Sequence, residues 1–541
     1  KTVKTNKIKK VLVANRGEIA TRVIRACYDL GINTVAIYAK EDIHSLHRIK
    51  ADEAYMVGES LSPLGAYLAI DEIVDLAKRK NVDAIHPGYG FLSENAEFAK
   101  ACERAGIIFI GPPSGVLAQM GDKLSAKEMA LRCNVATIPG SEIPLKNGAE
   151  ALAKAKEYGF PIILKAASGG GGRGMRACFS EEEVEPAFEL VASEAKKAFG
   201  NDDIFIEKFL VEPKHIEVQI LADKYGNTVH LYERDCSLQR RYQKVIEYTP
   251  AFSVDEKIRE AICADAVKIA KEVGYENAGT VEFLVDKASG NHYFIEMNPR
   301  IQVEHTVTEM VTGIDLVRAQ ILVADGQPLS CDEIGIRTQD DVTMRGYAIQ
   351  CRITTEDPTN NFAPDTGKIT AYRTGGGNGV RLDGGNTFVG SEILPYYDSL
   401  LVKVTCYDTT FEGAIRKELR TLRETAIRGV KTNKAFLSNI LVNPTFQKGG
   451  CSTKFIDETP SLFEIADTSD RATKMLKYIG NICLNDPLAG AKMYDTPRFV
   501  KPSGEPLQYG LKRILDEQGP EAVSKAVLAE KKLLVTDTTL R

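Results

Sequence analysis

Phe294-Ile295-Glu296-Met297-Asn298-Pro299-Arg300-Ile301-Gln302-Val303-Glu304-His305 is the stretch around which the chain is organised. If its first part is a strand, the period of two puts Glu296 and Asn298 on one face. Pro299 interrupts any ladder, and Arg300, Gln302, Glu304 and His305 follow within a short reach. Burying so many polar groups in an apolar frame is costly without a ligand. Taken alone, the stretch also fits a salt-bridged edge strand, so its surroundings must decide.

Residues 279–286 and 292–297 form a predicted hairpin across Lys287-Ala288-Ser289-Gly290-Asn291. That pairing makes Glu282 and Glu296 cross-strand neighbours. Like charges facing each other are destabilising unless a divalent cation lies between them. With Asn298 they supply oxygen ligands of the kind Mg²⁺ takes alongside substrate phosphates. Further upstream, a strand over 161–166 carries Lys165 and runs into Ser168-Gly169-Gly170-Gly171-Gly172-Arg173-Gly174-Met175. Consecutive glycines let backbone amides approach a phosphate closely. No Gly-Lys-Ser/Thr opens a helix, so this is not the Walker pattern; a flexible hairpin turn is the plainer alternative. Joined to a carboxylate–carboxylate–amide site, the glycine run points to nucleotide–Mg²⁺ chemistry. Between these blocks, 204–209 and 215–221 read as strands, the second with His215, Glu217 and Gln219 on one face. Residues 233–244 are dense in charge and by themselves read as a solvated loop.

Working outward to the start, residues from about 10 to 115 alternate short apolar runs with helical patterns: strand 11–14, helix 17–30, strand 35–38, helix 70–80, strand 84–86, helix 95–105, strand 107–110. The alternation predicts a parallel, doubly wound sheet. The first turn, Ala14-Asn15-Arg16-Gly17-Glu18, lacks GxGxxG, so the fold is Rossmann-like without a dinucleotide site. The decapeptide 86–95, His-Pro-Gly-Tyr-Gly-Phe-Leu-Ser-Glu-Asn, follows a strand's carboxyl end, where ligands gather in such sheets; a tight turn with Ser93 as an N-cap fits it equally. From about 340 to 455 the pattern is β-rich, with Arg352 in a strand, Tyr396-Tyr397-Asp398 after it and an amphipathic helix over 411–424.

With 541 residues the chain exceeds one core, and about three domains are expected. It is 43% hydrophobic and 26% charged, and no apolar run is long enough to span a membrane. A net charge of −5 gives no support to a nucleic-acid partner. The 11 cysteines are scattered, odd in number and without a CxxC pair, which points to a reducing compartment. The first residue is Lys, which suggests a processed or trimmed chain.

Together the blocks resemble the biotin carboxylase family of the ATP-grasp enzymes over about residues 8–455. The resemblance rests on ordered motifs: Asn15-Arg16-Gly17-Glu18-Ile19-Ala20, the 86–95 decapeptide, the glycine run, 233–244, 294–305 and Arg352. The implied fold is α/β, with a Rossmann-like domain over 1–121, an ATP-grasp domain with a lid over 122–330 and a β-rich C-terminal subdomain over 331–455. Residues 456–541 would be a linker and the start of a carboxyltransferase region, since 453–460, 477–481 and 533–541 resemble the pyruvate carboxylase branch of the family. Ala491-Lys492-Met493 lacks a preceding Met and is rejected as a biotinylation site.

The resemblance implies ATP-dependent carboxylation of biotin by bicarbonate. Lys123, Lys165 and the glycines Gly169, Gly170, Gly171 and Gly172 would contact the ATP phosphates. Glu207, Lys208 and Leu210 would border the adenine, and His215 and Gln239 the ribose. Glu282, Glu296 and Asn298 would hold Mg²⁺ or Mn²⁺. Arg300, Gln302, the Val303 amide and Lys244 would bind bicarbonate, Glu304 would be the general base, and Arg352 with Asp398 would meet biotin. Biotin would arrive on a carrier domain absent from this chain, and a carboxyltransferase domain would take the product. A dimer within a tetramer, in the cytoplasm or the mitochondrial matrix of a eukaryote, is also implied. Tyr242 departs from the family's usual His; it keeps a hydrogen-bonding tip but carries no positive charge near pH 7, which bears on ATP affinity. Two other classes share part of this pattern. Another ATP-grasp ligase would keep the glycine run and metal carboxylates but would not need 300–304 with Arg352. A nucleotide-sensing module would keep the cradle without the base.

Overall fold

The computed structural model describes residues 7–465, apart from 142, 171–172, 200–202 and 288, together with 475, 476 and 479; at 123–124, 167–170, 173–174 and 197–199 it describes the backbone alone. The chain divides between Ile465 and Ala466. Of the tail segments singled out above, 453–460 is described, whereas 491–493, 533–541 and, apart from Ile479, 477–481 fall outside the described residues.

The first sheet holds β1 (Lys10–Val13), β2 (Asn33–Tyr38), β3 (Glu53–Met56), β4 (Ala84–His86) and β5 (Ile108–Phe109) in the order β3-β2-β1-β4-β5. Every pairing is parallel. Parallel strands are covered on both faces, and Val11, Leu12 and Val13 are accordingly fully buried. The helices Gly17–Asp29, Ile70–Arg79 and Ala96–Arg104 match the predicted periodicity within two residues. The order reverses between β1 and β4, so the turns after them, 14–18 and 87–91, share the crevice where such sheets bind ligands.

A small antiparallel unit follows: β6 (Ile162–Gly170), β7 (Arg173–Cys178) and β8 (Ile204–Lys208), in the order β7-β6-β8. The helices Gly148–Tyr158 and Glu181–Phe199 pack with these strands around a separate core that includes Leu145, Ile162, Leu164, Val184, Val191 and Ile206. Gly169 and Gly170 end β6, and Gly170 pairs with Arg173 at the start of β7.

The large sheet contains β9 (Lys214–Ala222), β10 (Thr228–Arg240), β11 (Gln243–Thr249), β12 (Asn277–Val285), β13 (His292–Asn298) and β14 (Tyr347–Thr354), continued by Leu400–Asp408 and Val380–Gly384. Its order is β13-β12-β9-β10-β11-β14, then Leu400–Asp408, then Val380–Gly384, antiparallel throughout. The solvated-loop reading of 233–244 is corrected here. Glu233 through Gln239 are all buried in the middle of this sheet. Their charges tolerate burial because each finds a partner: Glu233 meets Arg259 at 3.0 Å, Arg234 meets Glu217 at 2.5 Å, and Asp235 meets Lys214 at 2.8 Å. The expected division near residue 330 leaves no break in the sheet, because β11 pairs directly with β14. Among the described residues no helix is long and apolar enough to cross a membrane.

Candidate active site

Strand register builds the site. β12 lies between β9 and β13, so Glu282 pairs with Glu217 on one side and with Glu296 on the other. The hairpin spacing predicted the second pairing; the first needs a long-range contact that no local pattern reveals. Two residues along, Thr280 is likewise flanked by Gln219 and Asn298. Three carboxylates in a row across three strands would repel one another strongly. Lys244, arriving on β11, answers most of that repulsion: its Nζ lies 2.5 Å from Glu217, 2.9 Å from Glu282 and 2.7 Å from Glu304. Behind Glu217 stands Arg234, with no exposure at all. It donates to Glu217 at 2.5 Å, to Gln219 at 2.8 Å, to Thr308 at 2.9 Å and to Thr280 at 3.2 Å.

These contacts set the protonation states. Burial alone would raise the Glu217 carboxyl, yet Arg234 and Lys244 hold it at about 2. The same contest, with Lys244 and His215 as the cations, keeps Glu282 well below the usual carboxylate range; His215 Nε2 lies 3.0 Å from its Oε2. Burial and Glu217 push Glu304 upward, and Lys244, Arg352 and Arg234 pull it below its ordinary value. Burial opposes the charge on Lys244, but its three carboxylates raise it well above a free lysine.

Glu304 ends the segment that follows β13 and is buried. Its Oε1 accepts from Lys244 and its Oε2 from Arg352, at 2.9 Å. Arg352 is itself held by Glu247, which Gln350 also contacts at 2.9 Å. Arg300 donates to Gln302 Oε1 at 2.8 Å and to Asn298 Oδ1 at 3.1 Å, and its Nε lies 3.1 Å from Glu94. The side-chain amide nitrogens of Asn298 and Gln302 are buried and have no acceptor among the described residues. Buried donors of that kind suit an oxyanion. Lys403 binds the Val303 carbonyl at 2.9 Å and fixes that turn.

On the nucleotide side, Lys165 is paired with Glu207 across β6 and β8. The Lys208 ammonium is committed to the carbonyls of Gly159 and Phe160 at 2.9 and 2.8 Å. Leu210 is buried, and His215 Nδ1 meets Gln239 Nε2 at 2.9 Å. The Lys123 side chain, Gly171 and Gly172 lie outside the described residues; Gly169 and Gly170 belong to β6. Tyr242 is 74% exposed at the tip of the β10–β11 hairpin. Tyr242→His is expected to shift the apparent KM for ATP, and an unchanged KM would remove the position from nucleotide binding.

Asp398 is exposed and accepts from the Leu400 amide at 2.8 Å. It lines a cavity of about 610 Å³ together with Arg16, Glu18 and Tyr397. Sequence reasoning assigned no role to Glu217, Arg234 or Glu247. Glu217 shares a face with His215 and Gln219, and that alternation was its one local signal.

Glu282, Glu296 and Asn298 offer oxygen donors of the sort Mg²⁺ accepts. A different grouping, His215, Glu217 and Glu282, brings its ligand atoms within 4.8 Å of one another, but the Lys244 ammonium already serves two of its three members.

Residues 7–117 match the family profile of the biotin carboxylase N-terminal domain, 122–332 that of the carbamoyl-phosphate synthase L chain ATP-binding domain, and 350–458 that of the biotin carboxylase C-terminal domain. Pyruvate carboxylase of Bacillus subtilis is 55% identical over 545 residues, covering 99% of this chain and 47% of its own length. The chain thus spans about half the length of the curated relatives it matches. Among solved structures, the biotin carboxylase domain dimer of Hydrogenobacter thermophilus 2-oxoglutarate carboxylase, in complex with MgADP and bicarbonate, is 49% identical with a TM-score of 0.76, covering 85% of this chain and 99% of that one. The biotin carboxylase subunit of pyruvate carboxylase is 50% identical with a TM-score of 0.77, covering 85% of this chain and 100% of that one. Matched in this way along most of its length, the chain belongs to the biotin carboxylase family.

Proposed function

We propose that this chain carboxylates biotin with bicarbonate at the expense of ATP, through carboxyphosphate, as the first half-reaction of a pyruvate carboxylase. The observation that carries this reading is the Glu304 carboxylate, with Lys244 on one oxygen and Arg352 on the other. Another ATP-grasp ligase would share the phosphate cradle and metal carboxylates but would not need this arrangement. Arg300, Gln302 and Lys244 orient bicarbonate, supported by the unpartnered Gln302 amide nitrogen. Lys165 and the glycines 169–172 would cover and contact the phosphates, with Lys123 beside them; the Gly170–Arg173 pairing, which brings β6 and β7 together at the run, supports that reading. Glu282, Glu296 and Asn298 hold Mg²⁺, which when bound neutralises phosphate oxygens.

Glu304 takes the bicarbonate proton as the bicarbonate oxygen attacks the γ-phosphate and ADP leaves. The carboxyphosphate splits into CO₂ and phosphate, that phosphate takes the biotin N1 proton, and N1 then bonds to the CO₂ carbon. A carboxylate of depressed pKa is a weak base, so the step depends on cations that acidify its target. Arg352 meets the developing oxyanion of deprotonated biotin; its planar fork suits that charge. The name of the relatives supports pyruvate as the final acceptor, and their additional length leaves room for a biotinyl carrier domain and a carboxyltransferase domain. A homodimer is supported by the solved relative that crystallises as one.

The decisive experiment measures ATP hydrolysis by the purified chain with and without bicarbonate and free biotin. Hydrolysis that requires bicarbonate and rises with biotin is expected. Turnover indifferent to both would favour another ATP-grasp ligase.

A further inference from the structure

The Asn15–Glu18 turn has no part in the chemistry described so far, yet it is built with unusual care. Gly17 holds φ at +64°, a conformation that favours glycine. Asn15 Nδ2 donates to the carbonyls of Pro87 and Tyr89 at 2.7 and 2.8 Å, which ties the turn to the loop after β4. Across the crevice, the C-terminal subdomain comes close: a Cβ on Gly385 would stand 2.9 Å from the Glu18 amide nitrogen.

Two side chains leave the turn in different directions. Arg16 grips the buried Asp42 with both ends of its guanidinium, Nε at 2.6 Å and a terminal nitrogen at 2.7 Å. Asp42 is fixed a second time by the Tyr67 and Ser45 hydroxyls, each donating at 2.6 Å. Asn386 reaches over from the C-terminal subdomain to Ser45 at 2.9 Å. So anchored, the guanidinium lies 3.6 Å from the centroid of the Tyr397 ring. Tyr397 immediately precedes Asp398. Glu18 goes the other way, accepting from the Tyr89 hydroxyl and pairing with Lys403 at 3.0 Å. Lys403 in turn holds the Val303 carbonyl.

We propose that the Asn15–Glu18 turn is a two-armed strut that positions the acceptor side of the site, with Arg16 as the positioning residue for Asp398. The inference rests on the reading of Asp398 and Arg352 as biotin contacts. Arg16 touches neither substrate nor reacting atom; it sets where the Tyr397–Asp398 segment stands relative to the first sheet. A stacked, bidentate guanidinium is a rigid link that Lys cannot reproduce. Misplacement of a binding group by about 1 Å costs up to about a hundredfold.

The test is steady-state kinetics of the full chain with free biotin as acceptor. Arg16→Met is expected to raise the KM for biotin by about tenfold to a hundredfold, leaving the biotin-independent, bicarbonate-dependent ATP hydrolysis and the KM for ATP within about twofold. Arg16→Lys should not restore it. Tyr397→Leu should reproduce the defect and Tyr397→Phe, which keeps the ring, should not. The double variant Arg16→Met/Tyr397→Leu should be no worse than either single one, because both break the same link. Additive losses, or biotin and ATP constants that move together, would overturn the proposal. If Arg16→Met fails to fold for want of a partner to Asp42, the two Tyr397 variants decide alone: a raised biotin KM in Tyr397→Leu but not in Tyr397→Phe supports the link, and equal constants in both overturn it. Absence of any biotin stimulation in the unmutated chain would overturn the functional reading first and this inference with it.

Discussion

Glu304→Gln is expected to lower biotin carboxylation by about a hundredfold to ten-thousandfold, the usual range for removing a general acid–base group. ATP binding should change little. The amide keeps the size and one acceptor of the carboxylate but cannot take a proton. Folding should survive, because Lys244 retains Glu217 and Glu282, and Arg352 retains Glu247. The depressed pKa of Glu304 means that the carboxylate is already fully ionised at pH 6 and above. The rate profile of the unmutated chain should therefore show no loss between pH 9 and pH 6 that Glu304→Gln removes. Rapid-quench or steady-state assays with free biotin, run alongside nucleotide binding, would decide. A fully active variant would remove Glu304 as the base.

The parts of this site that were legible in the sequence were the ones carried by local spacing. Glu296 and Asn298 share a face by the period of two, and the short Lys287–Asn291 turn brings Glu282 opposite Glu296. The helix over 411–424 was readable because its apolar spacing is local. The block 233–244 was misread for the opposite reason. Its charges look solvated until β9 supplies Glu217 and Gln219 for Arg234. The distance in sequence between β12 and β9 also hid the central role of Glu217, a register that only the assembled sheet specifies. Arg16 and Glu18 stood out as a motif from the start, but their partners are up to about 380 residues away and belong to another part of the fold. Local chemistry named the reagents; tertiary pairing decided which of them are neutralised, and by what.

Lys244→Met should produce the largest change in stability, and one whose pH dependence runs backwards. In the unmutated chain Glu217 has a folded pKa of about 2, below the roughly 4.3 of an unfolded glutamate. Its contribution is thus complete above about pH 4.3 and is lost as the pH falls toward the folded value. Glu282 behaves in the same direction. Removing the ammonium leaves Glu217 with Arg234 and Glu304 with Arg352, while Glu282 keeps His215 alone among the described cationic residues paired with it. Buried like charges then raise at least one folded pKa above 4.3. For that group stability is complete below about pH 4.3 and is lost as the pH rises through the raised value. Breaking a buried ion pair by deleting one partner costs about 3–5 kcal/mol, and here one cation serves three carboxylates. The variant should therefore be most deficient at pH 8, and the gap should narrow at pH 5 as a proton takes the place of the ammonium. Thermal or chemical unfolding of both proteins at the two pH values measures this directly. Equal deficits at pH 5 and pH 8 would show that Lys244 acts through packing and not as the charge that holds Glu217, Glu282 and Glu304 together.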